Sequence, residues 1–189
     1  MNTNSGKLRQ KLKFNKFPFG VYLLLVAVIV VFFAATQGTI SPAHLMNIVR
    51  QSAPLGVAAM GQTIVLLVGG IDLSVGATMS MVNLVAASVM GGSDAQILPA
   101  LLICMALCLL VGLLNGYIIA TFKMQPFLVT MAMSMIIEGG YYIYTKGIAK
   151  GSIATGIRFI SEGWIGIVPI AAIIWQLNWL VLSVLLHHT

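Results

Sequence analysis

From Val68 to Gly76 the chain reads VGGIDLSVG, two glycines and an aspartate set between apolar runs. Upstream lies an apolar stretch at Pro54–Gly69 and downstream another at Ser74–Met90. Both are short for membrane spans and nearly continuous through the motif, so they read as two short helices or as parts of one broken or re-entrant element. Gly69 and Gly70 can take the backbone angles that end a helix. Asp72 or Ser74 can cap the next one by accepting from the N–H groups of its first turn. Two readings stand on these residues alone. One is a break whose helix ends face a polar solute, as in transporters; the other is a tight turn at a membrane surface with a capping aspartate.

The composition around the motif fixes the solvent. Of 189 residues, 59% are hydrophobic and 7% charged, and the mean hydropathy is +1.02. A water-soluble domain of this size cannot hide so much apolar surface, so the pattern specifies an integral membrane protein. A spanning helix needs about 20 apolar residues. Besides the two stretches above, candidate spans fall at Phe19–Gln37, Ile97–Phe122, Pro126–Tyr144 and Ile165–Leu186. The predicted fold is all-α, a polytopic transmembrane helix bundle of about six spans with a broken or re-entrant helix at Gly69–Gly76. In lipid an unpaired backbone N–H or C=O costs several kcal/mol, so such a break must be enclosed by protein or open onto water.

Residues 1–17 form a basic tail in which Lys7, Arg9, Lys11, Lys13 and Lys16 precede the first span. Such a cluster is retained in the cytoplasm. An even number of crossings then puts Lys123 inside and Arg50, Lys146, Lys150 and Arg158 outside, six cations against four. The tail reads as a solvated topogenic segment rather than a specific site for anionic lipid or nucleic acid, and no nucleic-acid partner is expected. Residues 18–189 read as a single transmembrane domain whose first span is retained rather than cleaved as a signal peptide. The longest charged loop, Thr145–Gly163, is placed outside, either as a plain connector or as a surface for an extracytoplasmic partner.

VLLVGGIDLSVGATMSMVNLVAASVMGG at Val65–Gly92 resembles the signature region of the permease subunits of bacterial ribose-type ABC sugar importers. FLVTMAMSMI at Phe127–Ile136 and LLHHT at Leu185–Thr189 follow in that family's order and at about its spacing. The resemblance implies a pathway-forming subunit of the inner membrane that pairs with a second permease copy or paralogue. It implies two further partners, a cytoplasmic ATP-hydrolysing subunit and a periplasmic sugar-binding protein that delivers a monosaccharide or related small polar solute. The resemblance places nucleotide chemistry in that other chain, in agreement with the lack of a GxxxxGK[ST] phosphate loop here, and no cofactor is expected in this one. Members of that family continue past the HHT position, so the resemblance also implies that these residues form the N-terminal portion of a permease.

Polar residues within the spans are the remaining candidates. Gln62 and Thr63, Asn83, and Asn115 can offer a polyol both donors and acceptors, or can bond across packed helices. Gly112 and Gly116 flank Asn115 at a spacing that allows close helix approach. Glu138, next to Gly139–Gly140, is an expensive intramembrane carboxylate unless neutral, paired or wet; it either lines a path or reaches the interface where the helix breaks. Cys104 and Cys108 share a helix face without His or acidic partners, which makes a structural pair and no metal site. His187 and His188 suit the interface at a helix C-terminus. No catalytic grouping is evident. The candidate pathway set is therefore Gly69, Gly70, Asp72, Ser74, Gln62, Asn83, Asn115 and Glu138. Two alternatives remain: a self-contained ion-coupled carrier with Glu138 or Asp72 as the titrating group, and a non-transporting assembly subunit.

Overall fold

The computed structural model describes residues 16–36 and 41–187. Lys7, Arg9, Lys11 and Lys13 of the basic tail, and the terminal His188 and Thr189, lie outside the described residues. Seven α-helices run through the described residues: α1 (Lys16–Ala35), α2 (Pro42–Leu67), α3 (Val75–Met90), α4 (Ile97–Phe122), α5 (Pro126–Thr145), α6 (Thr155–Glu162) and α7 (Ile170–His187). A 3₁₀ turn at Asp94–Gln96 leads into α4, and a small hairpin of β1 (Trp164–Ile165) and β2 (Val168–Pro169) leads into α7. Asp94–Phe122 and α5 are long and apolar enough to cross a membrane, and Phe19–Ala35, Val75–Met90 and Ile170–Val184 form shorter apolar helices. The architecture is an all-α membrane helix bundle.

The described residues divide into two compact units, one ending at Leu45 and the other beginning at Met46. The first holds α1 and the opening turn of α2, where the His44 N–H donates to Ser41 Oγ at 3.2 Å. That serine cap, with Pro42 in the first turn, explains why α2 starts well before the expected span start at Pro54. Pro54 sits inside α2 instead of ending a connection before it. A membrane helix tolerates this because neighbouring groups re-satisfy the backbone that proline frees.

In the second unit α3, α4 and α5 pack as an antiparallel trio joined by short turns, so α3 and α5 run in the same direction. Buried Ala77 of α3 and Met133 and Ile137 of α5 pack with Met81, Val111 and Tyr141 at the centre. At the end of the trio where α3 stops, Met90, Ala100 and Ala154 are buried with Ile97, Ile153 and Ile157 around them. Ala100 and Ala154 are wholly buried, and their small side chains let the loop after α5 close onto the α3–α4 corner.

That loop is no plain connector. The Gly92 N–H donates to Ser152 O at 2.9 Å and the Ser152 N–H to Ala87 O at 3.1 Å. The Asp94 carboxylate accepts the Gly156 N–H at 2.9 Å and so caps α6 from across the fold. The expected last span, Ile165–Leu186, gives up its first residues to the hairpin before α7 begins.

Candidate functional site

The break is closed by its own backbone first. The Gly70 N–H donates to Val65 O and the Gly69 N–H to Leu66 O, both at 3.0 Å, with Gly69 at φ +81°. This is a Schellman turn, and it satisfies carbonyls that α2 would otherwise leave open. Gly70 is buried, and a Cβ there would lie 3.5 Å from Pro126 Cβ at the start of α5. The tighter approach is to Val65 Cγ1 at 3.2 Å, so the second glycine lets the chain fold back closely on the end of α2.

Beyond it, Ile71–Leu73 run without helix, and side chains from three helices supply the bonds the segment lacks. From α5, Thr130 Oγ1 accepts the Leu73 N–H at 3.0 Å, and its own proton has Pro126 O at 2.9 Å and Ile71 O at 3.2 Å as acceptors. From α2, Gln62 donates to the Asp72 carbonyl at 3.2 Å and accepts the Asp72 N–H at 3.1 Å, its amide being oriented by that pairing. From α4, Asn115 Nδ2 donates to Ser74 Oγ at 3.1 Å. Ser74, Asn115 and Thr130 are all buried. The enclosure that a non-helical backbone requires in lipid is thus built from side chains.

Asp72 closes the motif locally. Its Oδ1 accepts the Ser74 N–H at 2.7 Å and the Ser74 hydroxyl at 2.6 Å. Such short bonds to a carboxylate are charge-assisted, and the negative charge stands beside the positive N-terminus of α3. The expected capping takes a different form: neither side chain accepts an N–H from within α3, whose Ser74 N-cap makes no side-chain cap bond. Ser74 spends its proton on Asp72, and its carbonyl accepts both the N–H and the hydroxyl of Thr78, at 2.9 and 2.8 Å. Asn115 Oδ1 is buried with no partner among the described residues.

A cavity of about 490 Å³ opens beside this network, lined by Asp72, Ser74 and Thr78 together with apolar groups that include Pro54, Val57 and Met79. Thr130 stands one turn into α5 and Asn115 two turns before the end of α4. The break accordingly lies about 6–10 Å inside the end of the trio that carries the α4–α5 turn. Within the trio's length this is a buried, polar-walled joint.

Six of the eight candidate residues meet here: Gly69, Gly70, Asp72, Ser74, Gln62 and Asn115. Asn83 does not; it is exposed on α3 and borders a separate cavity of about 430 Å³ with Met90, Ala100 and Cys104. Glu138 is exposed two turns further along α5 than Thr130 and makes no bond to another described residue. Thr63 back-bonds to Ala59 O at 2.8 Å within α2. Thr130 was not singled out by sequence reasoning, although it is the one hydroxyl in the first two turns of its span.

Packed apolar helices around a polar break define a polytopic membrane protein, and comparison with known proteins gives the family. The family described as branched-chain amino acid transport system / permease component matches residues 44–189, and the chain belongs to it. It is an integral membrane protein. The ribose import permease RbsC of Bacillus subtilis (strain 168) is 34% identical over 176 residues, covering 91% of this chain and 53% of that protein. RbsC of Escherichia coli (strain K12) is 33% identical over 177 residues, 87% of this chain and 53% of the relative. The xylose/arabinose import permease XylH of Sulfolobus acidocaldarius is 27% identical over 179 residues, 92% and 49% respectively. The chain spans about half the length of these curated relatives. No solved structure gives a significant match.

Proposed function

We propose that this chain belongs to the membrane pathway of an ATP-binding-cassette importer for a monosaccharide or a related small polar solute. The observation that carries the reading is the likeness, over about nine-tenths of the chain, to permeases named for ribose import. The break supports it physically, since a lipid-embedded protein maintains a non-helical segment with a polar-walled cavity only where protein or water meets it. Asp72 and Thr78 bring a carboxylate and a hydroxyl to the cavity wall, and Pro54, Val57 and Met79 bring apolar surface, a combination suited to a sugar, which carries both hydroxyls and C–H surface.

In this reading the chain hydrolyses nothing itself. Its partners are a separate ATP-hydrolysing subunit, a second permease copy or paralogue, and a periplasmic sugar-binding protein that supplies affinity, so the path needs only weak contacts. The protein sits in the bacterial inner membrane with its basic N-terminus in the cytoplasm, where Lys7 to Lys16 hold it.

Uptake of labelled pentoses and hexoses tests the proposal in vesicles carrying the protein with its ATP-hydrolysing and sugar-binding partners. Import that stops when the ATPase is inactivated is the expected result. Import that survives that inactivation and collapses with an uncoupler would establish the ion-coupled carrier instead, and partner binding without flux would establish an assembly subunit.

A further inference from the structure

Along α5 the residues Thr130, Ser134, Glu138 and Tyr142 recur every fourth position, which places them on one face of the helix. Thr130 belongs to the break network, but the side chains of the three that follow form no hydrogen bond or ion pair with any described residue. Exposure rises along the same line: Thr130 is buried, Ser134 half-buried, Glu138 exposed and Tyr142 66% exposed. Glu138 lies seven residues before the end of α5, about 10 Å inside a helix whose 20 residues match the hydrocarbon thickness. A carboxylate there cannot be left against acyl chains without a cost of several kcal/mol, so something polar covers this face.

We propose that the Ser134–Glu138–Tyr142 ridge is a wall of the aqueous solute path and contacts the hydroxyls of a polyol; this rests on the sugar-importer reading above. The ridge starts at the break and continues to the opposite end of α5, as a path must. Hydroxyl, carboxylate and phenol in series offer both donors and acceptors, the inventory a sugar's hydroxyl ring exchanges with water. The backbone beside Glu138 is open, for a Cβ at Gly139 or Gly140 would meet nothing within 4 Å. A second copy of the chain is a poorer cover. Its α3, α4, α5 and α7 carry no Lys or Arg, and the one cation within α2 is Arg50, so it has little to neutralise a mid-span carboxylate.

The chain's two cysteines, Cys104 and Cys108, can be replaced by serine to give a thiol-free background. Single cysteines are then placed at Ser134, Glu138 and Tyr142, and at Ile136 and Ile143, which are 67% and 78% exposed but face away from the ridge. In membrane vesicles a charged, water-soluble thiol reagent should modify the ridge positions at least about tenfold faster than the two controls, because only a wet thiol forms the reactive thiolate. Transported monosaccharide should slow modification at position 138.

Equal, slow modification at all five positions would overturn the path, and fast modification that no pentose or hexose slows would overturn the polyol contact. Labelling reads water access and needs no ATPase, so the ridge can fail while the importer stands, and the reverse. As a second variant, Glu138→Leu should insert normally yet lower uptake at least about tenfold, with Glu138→Gln retaining most of it because its amide keeps the polar contacts. Unchanged uptake in Glu138→Leu would also overturn the proposal.

Discussion

Replacing Thr130 by valine tests the account of the break most directly, because it deletes one hydroxyl and leaves the side-chain shape nearly unchanged. The hydroxyl oxygen accepts the Leu73 N–H at 3.0 Å, and its proton is shared between Pro126 O and Ile71 O. The Pro126 carbonyl retains its place in the helix, so the main loss is at Leu73, whose N–H lies in a non-helical segment with no second acceptor. Bonds between side chains of packed membrane helices average only about 0.6 kcal/mol, because separated helices find other partners. A backbone donor orphaned inside the bundle is the costlier case, about 1–3 kcal/mol. Thr130→Val should therefore lower the unfolding midpoint in detergent by about 2–10 °C for a domain of this size. Thr130→Ser keeps the hydroxyl and loses one buried methyl, about 1 kcal/mol, so it should lie nearer the parent protein. A valine variant within about 0.5 kcal/mol of the parent, or a serine variant worse than valine, would refute the claim that this hydroxyl holds the break.

Three further outcomes follow from the same structure. Asp72→Ala removes the acceptor of two short bonds from Ser74 and should impair uptake more than Cys104→Ala, which loses only a weak thiol contact to Val82 O at 3.7 Å; equal, near-normal uptake from both would remove Asp72 from the site. Gly56→Ala puts a methyl where the Trp175 indole packs on α2, and should cost about 1–3 kcal/mol and shift the tryptophan emission; an unchanged spectrum and midpoint would show that α7 does not rest there. Asp94→Ala uncaps α6 at Gly156 and should speed amide exchange at that N–H while costing about 1 kcal/mol, and Asp94→Asn, which keeps an acceptor oxygen, should cost less.

The sequence carried most of the fold because membrane helices declare themselves by apolar length, and Gly69–Gly70 declared the break. Gly69 is at φ +81°, a conformation that a β-branched or bulky residue resists, so this glycine could be read locally. Helix starts were less legible. Pro54 looked like punctuation, yet the serine cap at Ser41 and Pro42 set the beginning of α2 three turns earlier. The site divided along the same line. Asp72 and Ser74 were visible because they bond to each other two residues apart, whereas Thr130 meets Leu73 across 57 residues and Asn115 meets Ser74 across 41. Nothing in a single chain's pattern of apolar and polar residues specifies which of several mid-span hydroxyls or amides will make such a crossing. Asn83 had the same appearance as Asn115 and lies elsewhere, exposed beside another cavity.

The break and the ridge meet on α5, and their chemistry differs in a way that bears on movement. At Thr130 the helix is fixed to the extended segment by short bonds among buried groups, and the same segment is held by Gln62 from α2 and by Asn115 from α4. A joint satisfied from three sides resists bending, because any displacement exposes several backbone groups at once. On its Ser134–Glu138–Tyr142 face α5 instead presents side chains with no hydrogen-bond partner among the described residues, while on another face the Tyr144 and Ser88 hydroxyls pair at 2.7 Å and tie it to α3. Packed membrane elements that alternate between two arrangements do so mainly as rigid bodies sliding at their free faces. The break therefore unites α2, α3, α4 and α5 into one body, and in the proposed importer the Ser134–Tyr142 face of α5 is the side on which that body moves.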